Sequence, residues 1–222
     1  MAIQEAAHNV AVSVDVVVFS IRERRLTLLL VRRGLAPQRG RWALPGAFLR
    51  PDEDLDGAAR RALAESTGVT GVYLEQLYTF GRPDRDPRGR VVSVAYYALV
   101  PSDKLRLCAA LEAEAIGWFA LDELPRLAFD HAEIVAMAHA RLRAKLGYST
   151  IAFQFLGESF TIPELQSVYE IILGEPLDKR NFRKWVLSLG QIEATGELRR
   201  EGRHRPARLY RLVRPGDIVF FK

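Results

Sequence analysis

Residues 44–69 read LPGAFLRPDEDLDGAARRALAESTGV, and this segment is the most informative part of the chain. Its first half is a loop rich in proline and acidic residues, and its second half has the composition of an amphipathic helix that stops at Gly68. Positions 62, 65 and 66 are three and four residues apart, so they share one helix face. The expected buried stripe consists of Leu55, Ala59, Ala62 and Leu63.

The spacing of this segment resembles the Nudix box, G-x5-E-x7-R-E-U-x-E-E-x-G-U, in which U is a bulky aliphatic residue. Glu53 and Arg61 fall on the first acidic position and on the arginine, and the aliphatic positions are occupied as well. An amphipathic helix alone explains neither this register nor the preceding residues 42–46. The resemblance therefore implies a Nudix fold.

The metal-binding positions of the box have changed. The family's three helical carboxylates fall on Ala62, Glu65 and Ser66, and Ala47 replaces the opening glycine. In Nudix enzymes these carboxylates hold divalent cations that activate water against a diphosphate. Mg²⁺ prefers several oxygen ligands, of which alanine supplies none. The pattern favours recognition of a nucleotide over its cleavage.

The resemblance consequently implies no catalytic residue, with Glu53, Arg61 and Glu65 as vestiges of the box. Glu53 and Glu65 are the candidate metal ligands, and they are expected to hold a metal weakly or not at all. No cofactor is expected to be required, although Mg²⁺ is compatible with a bound effector.

Composition sets the broad class of protein. The chain has 222 residues, 49% of them hydrophobic, with a net charge of +5, which predicts one large or two modest globular domains. No apolar run approaches the ~20 residues that span a membrane, and no signal peptide is apparent. The single cysteine, Cys108, is expected to be a buried thiol, and the four histidines have no zinc spacing. These features predict a cytoplasmic protein without a membrane partner.

The expected fold class is α/β, a Nudix-type mixed sheet with helices, followed by a C-terminal winged helix-turn-helix domain. The predicted domains are residues 1–147 and 148–222. A helix is expected from Asp130, as its N-cap, to Leu146, with a stop at Gly147. Residues 21–25 are expected to form a charged connection. The expected strands cover residues 10–19, 26–31, 72–80, 91–100 and 116–119.

Charge separates the second domain from the first. Residues 148–178 contain no lysine or arginine, whereas residues 179–214 contain eleven basic and three acidic side chains. This excess of eight positive charges exceeds the net charge of the whole chain. Such asymmetry predicts a separate module with an anion-binding surface.

The order of elements in this module is that of a winged helix. Thr161 caps a predicted helix that ends at Gly174, and a second predicted helix covers residues 178–189. Two predicted strands, residues 191–199 and 207–213, flank a basic tip. We interpret this layout as a DNA reader whose second helix enters the major groove, while the alternative is a solvated basic face. RNA is less favoured because no strand of this module carries a pair of aromatic residues as a stacking platform. The candidate DNA-binding residues are Lys179, Arg180, Asn181, Arg183, Lys184, Arg203, Arg205 and Arg208.

The combination of a degenerate Nudix domain with a winged helix resembles the Nudix-related transcriptional regulators of the NrtR family. Further similar segments are Tyr78–Gly81, Arg85–Gly89, Val92–Tyr96 and Pro206–Arg211. The resemblance implies a homodimeric repressor of NAD metabolism genes that binds a double-stranded operator and responds to ADP-ribose or a related nucleotide.

An effector with a diphosphate and two riboses requires guanidinium groups and an aromatic surface. The alternative for each arginine singly is a solvated loop charge. Leu146–Ser149 is the expected hinge between the domains. The candidate effector-binding residues are Arg32, Arg33, Arg41, Trp42, Arg85 and Arg88.

Two rival functions remain open at this point. One is an active ADP-ribose pyrophosphatase with a basic accessory domain, and the other is a sugar-responsive regulator of the same architecture. The sequence leaves undetermined the effector, the operator, the regulated genes, the choice between repression and activation, and any residual hydrolysis.

Overall fold

The structure is a computed structural model that describes residues 10–101, 113–200, 206–216 and 218–221. It contains two compact units, one ending at Ala138 and the other containing the chain from His139 together with Ser20–Leu26. The expected buried thiol, Cys108, lies outside the described residues. The elements are β1 (Ala11–Arg22), β2 (Arg25–Arg33), β3 (Trp42–Ala43), β4 (Gly46–Phe48), α1 (Leu55–Thr67), β5 (Tyr73–Phe80), β6 (Val91–Leu99), β7 (Ala113–Ala120), α2 (His131–Leu146), α3 (Ile162–Leu173), α4 (Lys179–Ser188), β8 (Ile192–Arg199) and β9 (Ala207–Leu212), with 3-10 helices at Leu121–Glu123 and Thr150–Phe155.

The N-terminal unit is built on one mixed sheet. Its strand order is β3-β2-β1-β6-β5, with β4 paired to β1 and β7 paired to β2. Strands β1 and β6 are parallel, whereas β4, β3, β7 and β5 pair antiparallel to their neighbours. Val16, Val17 and Val18 are completely buried, which explains why β1 is a nearly continuous apolar run. The predicted α/β class with a mixed sheet is confirmed.

The predicted connection at residues 21–25 is wrong. Strand β1 continues to Arg22 and β2 begins at Arg25, which leaves only Glu23 and Arg24 as the turn. Both residues have positive φ, 48° and 59°, as a two-residue hairpin of type I′ requires. The charged residues that suggested a loop are therefore largely strand ends.

Helix α1 and Gly46, the first residue of β4, place the Nudix-like segment against the sheet. The Asp54 carboxylate accepts the Gly57 N–H at the start of α1, and Gly68 ends it with φ 71°. Ala58, Ala59, Ala62 and Leu63 are buried; Leu55, expected in this stripe, is half-buried.

Gly46 of β4 pairs with Asp15 of β1, and a Cβ at position 46 would lie 2.7 Å from the Val14 carbonyl oxygen. Only glycine permits this close approach.

The C-terminal unit contains the expected helices and hairpin. Thr161 forms a capping box with Glu164 at the start of α3, and Gly174 ends that helix with φ 74°. Asp178 caps α4 by accepting the Asn181 N–H. Strands β8 and β9 pair antiparallel, and β9 bridges to Phe160 just before α3. The predicted winged helix-turn-helix order is confirmed.

The expected hinge, Leu146–Ser149, is hydrogen-bonded inside the C-terminal unit. The Tyr148 N–H donates to the Lys145 carbonyl, and the Tyr148 carbonyl accepts the N–H of Phe221. The segment that contains Phe221 also contacts α4, since the Phe221 and Trp185 rings lie 5.9 Å apart. The role of Leu146–Ser149 as a hinge stays a prediction. No helix within the described ranges combines the length and apolar character needed to cross a membrane.

Candidate nucleotide site and nucleic-acid interface

The first acidic residue of the Nudix-like box is held by the box arginine. Arg61 donates Nε to Glu53 Oε2 at 2.9 Å and Nη2 to Glu53 Oε1 at 2.5 Å. It also donates Nη1 to Glu65 at 3.1 Å and Nη2 to the Phe48 carbonyl at 3.0 Å. Hydrogen bonds from Arg61 hold the pKa of Glu53 at about 2, so Glu53 is ionised at neutral pH.

A second arginine, Arg50, pairs with Glu65, the other carboxylate that the box retains. Arg50 donates Nη2 to Glu65 Oε1 at 3.3 Å, and its backbone N–H donates to Glu53 at 2.8 Å. The Arg50 side chain is 58% exposed, whereas that of Arg61 is 16% exposed. Both retained carboxylates of the box are thus paired with guanidinium groups.

This donor set fits a divalent cation poorly. Ala62 and Ser66 supply no carboxylate, and each oxygen of Glu53 and Glu65 already accepts from an arginine. Within the described parts of the chain, no group of three acidic, histidine or cysteine side chains is arranged to hold a metal. Two guanidiniums also repel a second cation at short range.

Arg85 lies in the interior of the N-terminal unit. Its side chain is 4% exposed, and it donates Nε and Nη2 to the two oxygens of Asp130 at 2.9 and 2.7 Å. Its Nη2 also lies 3.4 Å from Asp15, which accepts the Ser93 hydroxyl. Arg85 is therefore not a solvated loop charge, and its expected contact with an effector stays a prediction. The side chain of Asp130, which was expected to cap a helix, accepts two hydrogen bonds from this guanidinium.

His131 continues this buried network toward the Nudix-like segment. Its Nδ1 accepts the Leu44 N–H at 2.9 Å, and its Nε2 lies 3.5 Å from Asp15. Burial lowers the pKa of His131, which agrees with a neutral ring whose Nδ1 is an acceptor. Sequence reasoning missed Asp15, Ser93 and His131, because pairing of distant segments brings them together. The sequence did signal Asp15, which is a charged residue within the apolar run of β1.

Arg32 and Arg33 organise the loop that follows β2. Arg32 donates Nε to the Gly40 carbonyl at 3.1 Å, and Arg33 donates Nε to the Pro37 carbonyl at 3.0 Å. Trp42 packs edge-on against Phe119, with ring centroids 4.7 Å apart. The Arg41 side chain is half-buried. Arg32, Arg41 and Trp42 thus adjoin one loop, and their expected effector contacts remain predictions.

Arg33 and Arg88 come together around two phenyl rings that sequence reasoning missed. Arg33 lies 4.8 Å from the centroid of Phe129, and Arg88 lies 5.1 Å from Phe48 and 5.9 Å from Phe129. Arg88 is oriented by Asp86, which accepts its Nη2 at 2.6 Å. We call these four residues the aromatic–guanidinium cluster; such alternating rings and cations suit a planar, electron-rich, anionic ligand.

The aromatic–guanidinium cluster adjoins the Nudix-like box through residue 48. The Phe48 ring belongs to the cluster, while its carbonyl accepts from Arg61 of the box. Phe129 has a positive φ of 50°, and its N–H is bonded to the Gln38 side chain. This strained conformation is the kind of outlier that clusters at functional sites. A ligand spanning both features would present a planar group and an anionic group to them.

The exposed face of α4 is the candidate nucleic-acid interface. Phe182 and Val186 are buried, and Tyr169 of α3 contacts the rings of Phe182 and Trp185 at 5.3 and 5.5 Å. This packing turns the polar residues of α4 to solvent. The exposed ones predicted to contact DNA are Lys179, Arg180, Asn181, Arg183 and Lys184.

These exposed cations differ in their contacts. Arg183 lies 3.5 Å from the Tyr210 hydroxyl of β9. The pKa of Glu170 is lowered, chiefly by a hydrogen bond from the Leu177 N–H and least by the positive charge of Lys179. Within the described ranges, Arg180 and Lys184 have no hydrogen-bond or ion-pair partner, and this also holds for the exposed Arg208 of β9. A phosphate can bind these unpaired cations without first breaking an ion pair.

The rest of the wing is held by internal ion pairs. Arg199 donates to Glu164 at 2.7 Å and to the Ser159 carbonyl at 3.1 Å, and Arg211 donates to Glu193 at 2.7 Å. These arginines were not predicted to bind DNA. Arg203 and Arg205, which were, lie outside the described residues.

Comparison with known proteins gives matches across both units. Residues 10–138 match the NUDIX domain and residues 152–212 match the NrtR DNA-binding winged helix domain. Over 205 residues the chain is 39% identical to the ADPR responsive transcriptional repressor NtrR of Acinetobacter baylyi, covering 90% of this chain and 81% of that protein. It also matches the crystal structure of Shewanella oneidensis NrtR complexed with a 27mer DNA, with 39% identity, a TM-score of 0.81 and coverage of 90% and 93%. The NUDIX domain of Shewanella oneidensis NrtR complexed with ADP ribose matches with 37% identity, a TM-score of 0.53 and coverage of 59% and 87%.

Proposed function

This chain belongs to the NrtR family, in which a NUDIX domain precedes a DNA-binding winged helix domain, and we propose that it is a transcriptional repressor that releases DNA when ADP-ribose binds its NUDIX domain. The observation that carries the proposal is the exposed face of α4, whose Arg180 and Lys184 have no partner in the described chain. That face lies on a helix-turn-helix whose turn is fixed by Gln166 and Glu170, both hydrogen-bonded to Leu177. Such a rigid basic helix suits a major groove.

The effector assignment is supported by the NUDIX domain. Its box pairs both retained carboxylates with arginine, which favours holding a nucleotide over hydrolysing it. The relatives from Acinetobacter baylyi and Shewanella oneidensis are described as ADPR responsive and as complexed with ADP ribose. Residues 1–147 form the proposed effector domain and residues 148–222 the DNA-binding domain.

Two subunits of this protein are proposed to bind one operator together. Two subunits would place their α4 helices in successive half-sites of a pseudo-palindromic operator, about ten base pairs apart or a multiple of that. The regulated genes are those of NAD metabolism, and the protein acts in the cytoplasm. Effector binding shifts DNA affinity only if it favours one of two dimer arrangements.

A single mixture tests this function. Fluorescence anisotropy of a labelled duplex from upstream of the chain's own gene reports DNA binding, while chromatography reports AMP and ribose 5-phosphate. We expect ADP-ribose to release the duplex without formation of either product. Rapid hydrolysis with unchanged anisotropy would contradict the repressor and favour the pyrophosphatase. Release by a free sugar, without a response to ADP-ribose, would favour the sugar-responsive regulator.

The aromatic–guanidinium cluster is proposed to hold the adenine. Phe48→Ala removes a 43% exposed ring under Arg88, so we expect the Kd for ADP-ribose to rise roughly 5- to 30-fold, which is about 1–2 kcal/mol of lost stacking. Isothermal titration calorimetry measures this, and Tyr78→Ala is the matched control because Tyr78 is exposed on β5 and outside the cluster. Equal losses in both variants would argue against a specific adenine contact.

A further inference from the structure

The box of this protein differs in its charge balance from a metal site. Glu53 and Glu65 carry two negative charges, and Arg61 and Arg50 bring two positive charges into direct contact with them. A site that attracts a divalent cation presents an excess of carboxylates. Here the excess is absent, because Ala62 and Ser66 stand where two more carboxylates would be. A neutral cluster neither draws in a dication nor repels a diphosphate.

We propose that the box binds the diphosphate of its effector without a divalent cation and that the guanidinium of Arg50 makes the direct contact. The inference rests on the proposed function, because it takes ADP-ribose as the ligand of this site. It assigns to Arg50 a role that the sequence comparison with the Nudix box does not provide.

Arg61 is not available for that contact. Its side chain is 16% exposed, and its Nε, Nη1 and Nη2 all donate to Glu53, Glu65 or the Phe48 carbonyl. These bonds use four of the five guanidinium N–H groups, so a bidentate contact between Arg61 and a phosphate would break at least one of them. The box arginine therefore positions Glu53, Glu65 and residue 48.

Arg50 has the opposite properties. Its side chain is 58% exposed, and within the described residues its guanidinium donates one hydrogen bond, to the exposed Glu65 at 3.3 Å. An exposed pair of this kind is weak, so a phosphate can displace Glu65 at little cost. The planar fork of arginine matches phosphate oxygens in a bidentate manner.

The position of Arg50 also suits a ligand held at the aromatic–guanidinium cluster. Arg50 is two residues from Phe48, which is at most about 7 Å of extended chain. A nucleotide whose base lies on the Phe48 ring would bring its diphosphate toward the loop that carries Arg50. The box and the cluster are thus two ends of one binding surface on the N-terminal unit.

Calorimetry with ADP-ribose tests the proposal in EDTA and in MgCl₂. We expect the full-length protein to bind with the same Kd, within about twofold, in both buffers, and Arg50→Ala to raise the Kd by roughly 10- to 100-fold in both, as expected for a charge-assisted hydrogen bond. Arg60→Ala is the matched control, because Arg60 is exposed on α1 and should leave the Kd unchanged. Thermal melting checks that the variants fold.

Glu65→Gln separates the two modes of binding. If a metal ion bridged the diphosphate to the box, this substitution would remove a metal ligand and the affinity for ADP-ribose would fall. Under our proposal the affinity for ADP-ribose stays equal or increases, because Glu65 competes with the diphosphate for Arg50. Binding that requires Mg²⁺, or an Arg50→Ala variant with unchanged affinity, would overturn the inference and leave the repressor function intact. Absence of ADP-ribose binding in either buffer would overturn the effector assignment itself, and this inference with it.

Discussion

Arg85→Ala is expected to lower the free energy of unfolding of the NUDIX domain by about 3–5 kcal/mol, the usual result of removing one partner of a buried ion pair. The guanidinium is 4% exposed and donates to Asp130 at 2.9 and 2.7 Å. Without it, the side chains of Asp15 and Asp130, 10% and 2% exposed, lose their cation. Two buried carboxylates would then face a cavity with the Ser93 hydroxyl and neutral His131 as nearby donors.

Differential scanning calorimetry measures this effect as a lower transition temperature of the NUDIX domain. Arg82→Ala is the matched control, because Arg82 is on the same loop but is 58% exposed and pairs with Glu133 at 3.2 Å. An exposed pair contributes about 0–1 kcal/mol, so the control should unfold almost as the parent does. Arg85→Lys should recover only part of the loss, since one ammonium cannot reproduce the fork to Asp130. Similar transition temperatures for Arg85→Ala and Arg82→Ala would contradict the buried network.

The features that the sequence predicted well are those specified by nearby residues. The ends of α3 are an example, because Thr161 and Glu164 form the capping box and Gly174 adopts a left-handed conformation. The register of the Nudix box is another, since the family pattern placed Glu53 and Arg61 in frame, and the structure shows that they hydrogen-bond to each other. Local rules of this kind require no knowledge of the rest of the fold.

The features that the sequence did not predict depend on pairing across the sheet. Strands β3 and β4 have two and three residues, too few for any periodicity, and they exist because β2 and β1 pair with them. Arg85 and Asp130 are 45 positions apart in sequence. The same applies to Phe48 and Phe129, whose rings are both contacted by Arg88. Charge pattern marked the arginines but not the rings or carboxylates that determine their roles.

Arg180→Ala is expected to weaken operator binding about 10- to 100-fold while leaving the affinity for ADP-ribose unchanged. Arg180 is exposed near the start of α4, where a recognition helix places its base-contacting side chains. A bidentate contact between arginine and guanine contributes about 1–3 kcal/mol of discrimination. Anisotropy titrations with operator and with scrambled duplex measure both the loss and the sequence preference.

Lys184→Ala distinguishes groove reading from attraction to phosphates, because Lys184 lies one turn further along α4 and is also exposed. Loss of a phosphate contact weakens operator and scrambled duplex alike and reduces the salt slope by about 1, whereas loss of a base contact weakens the operator selectively. We expect the first pattern for Lys184 and the second for Arg180. Arg126→Ala, which removes an exposed charge from the NUDIX domain, is the control for net charge. If all three variants weaken both duplexes equally, α4 is a solvated basic face and does not read the operator.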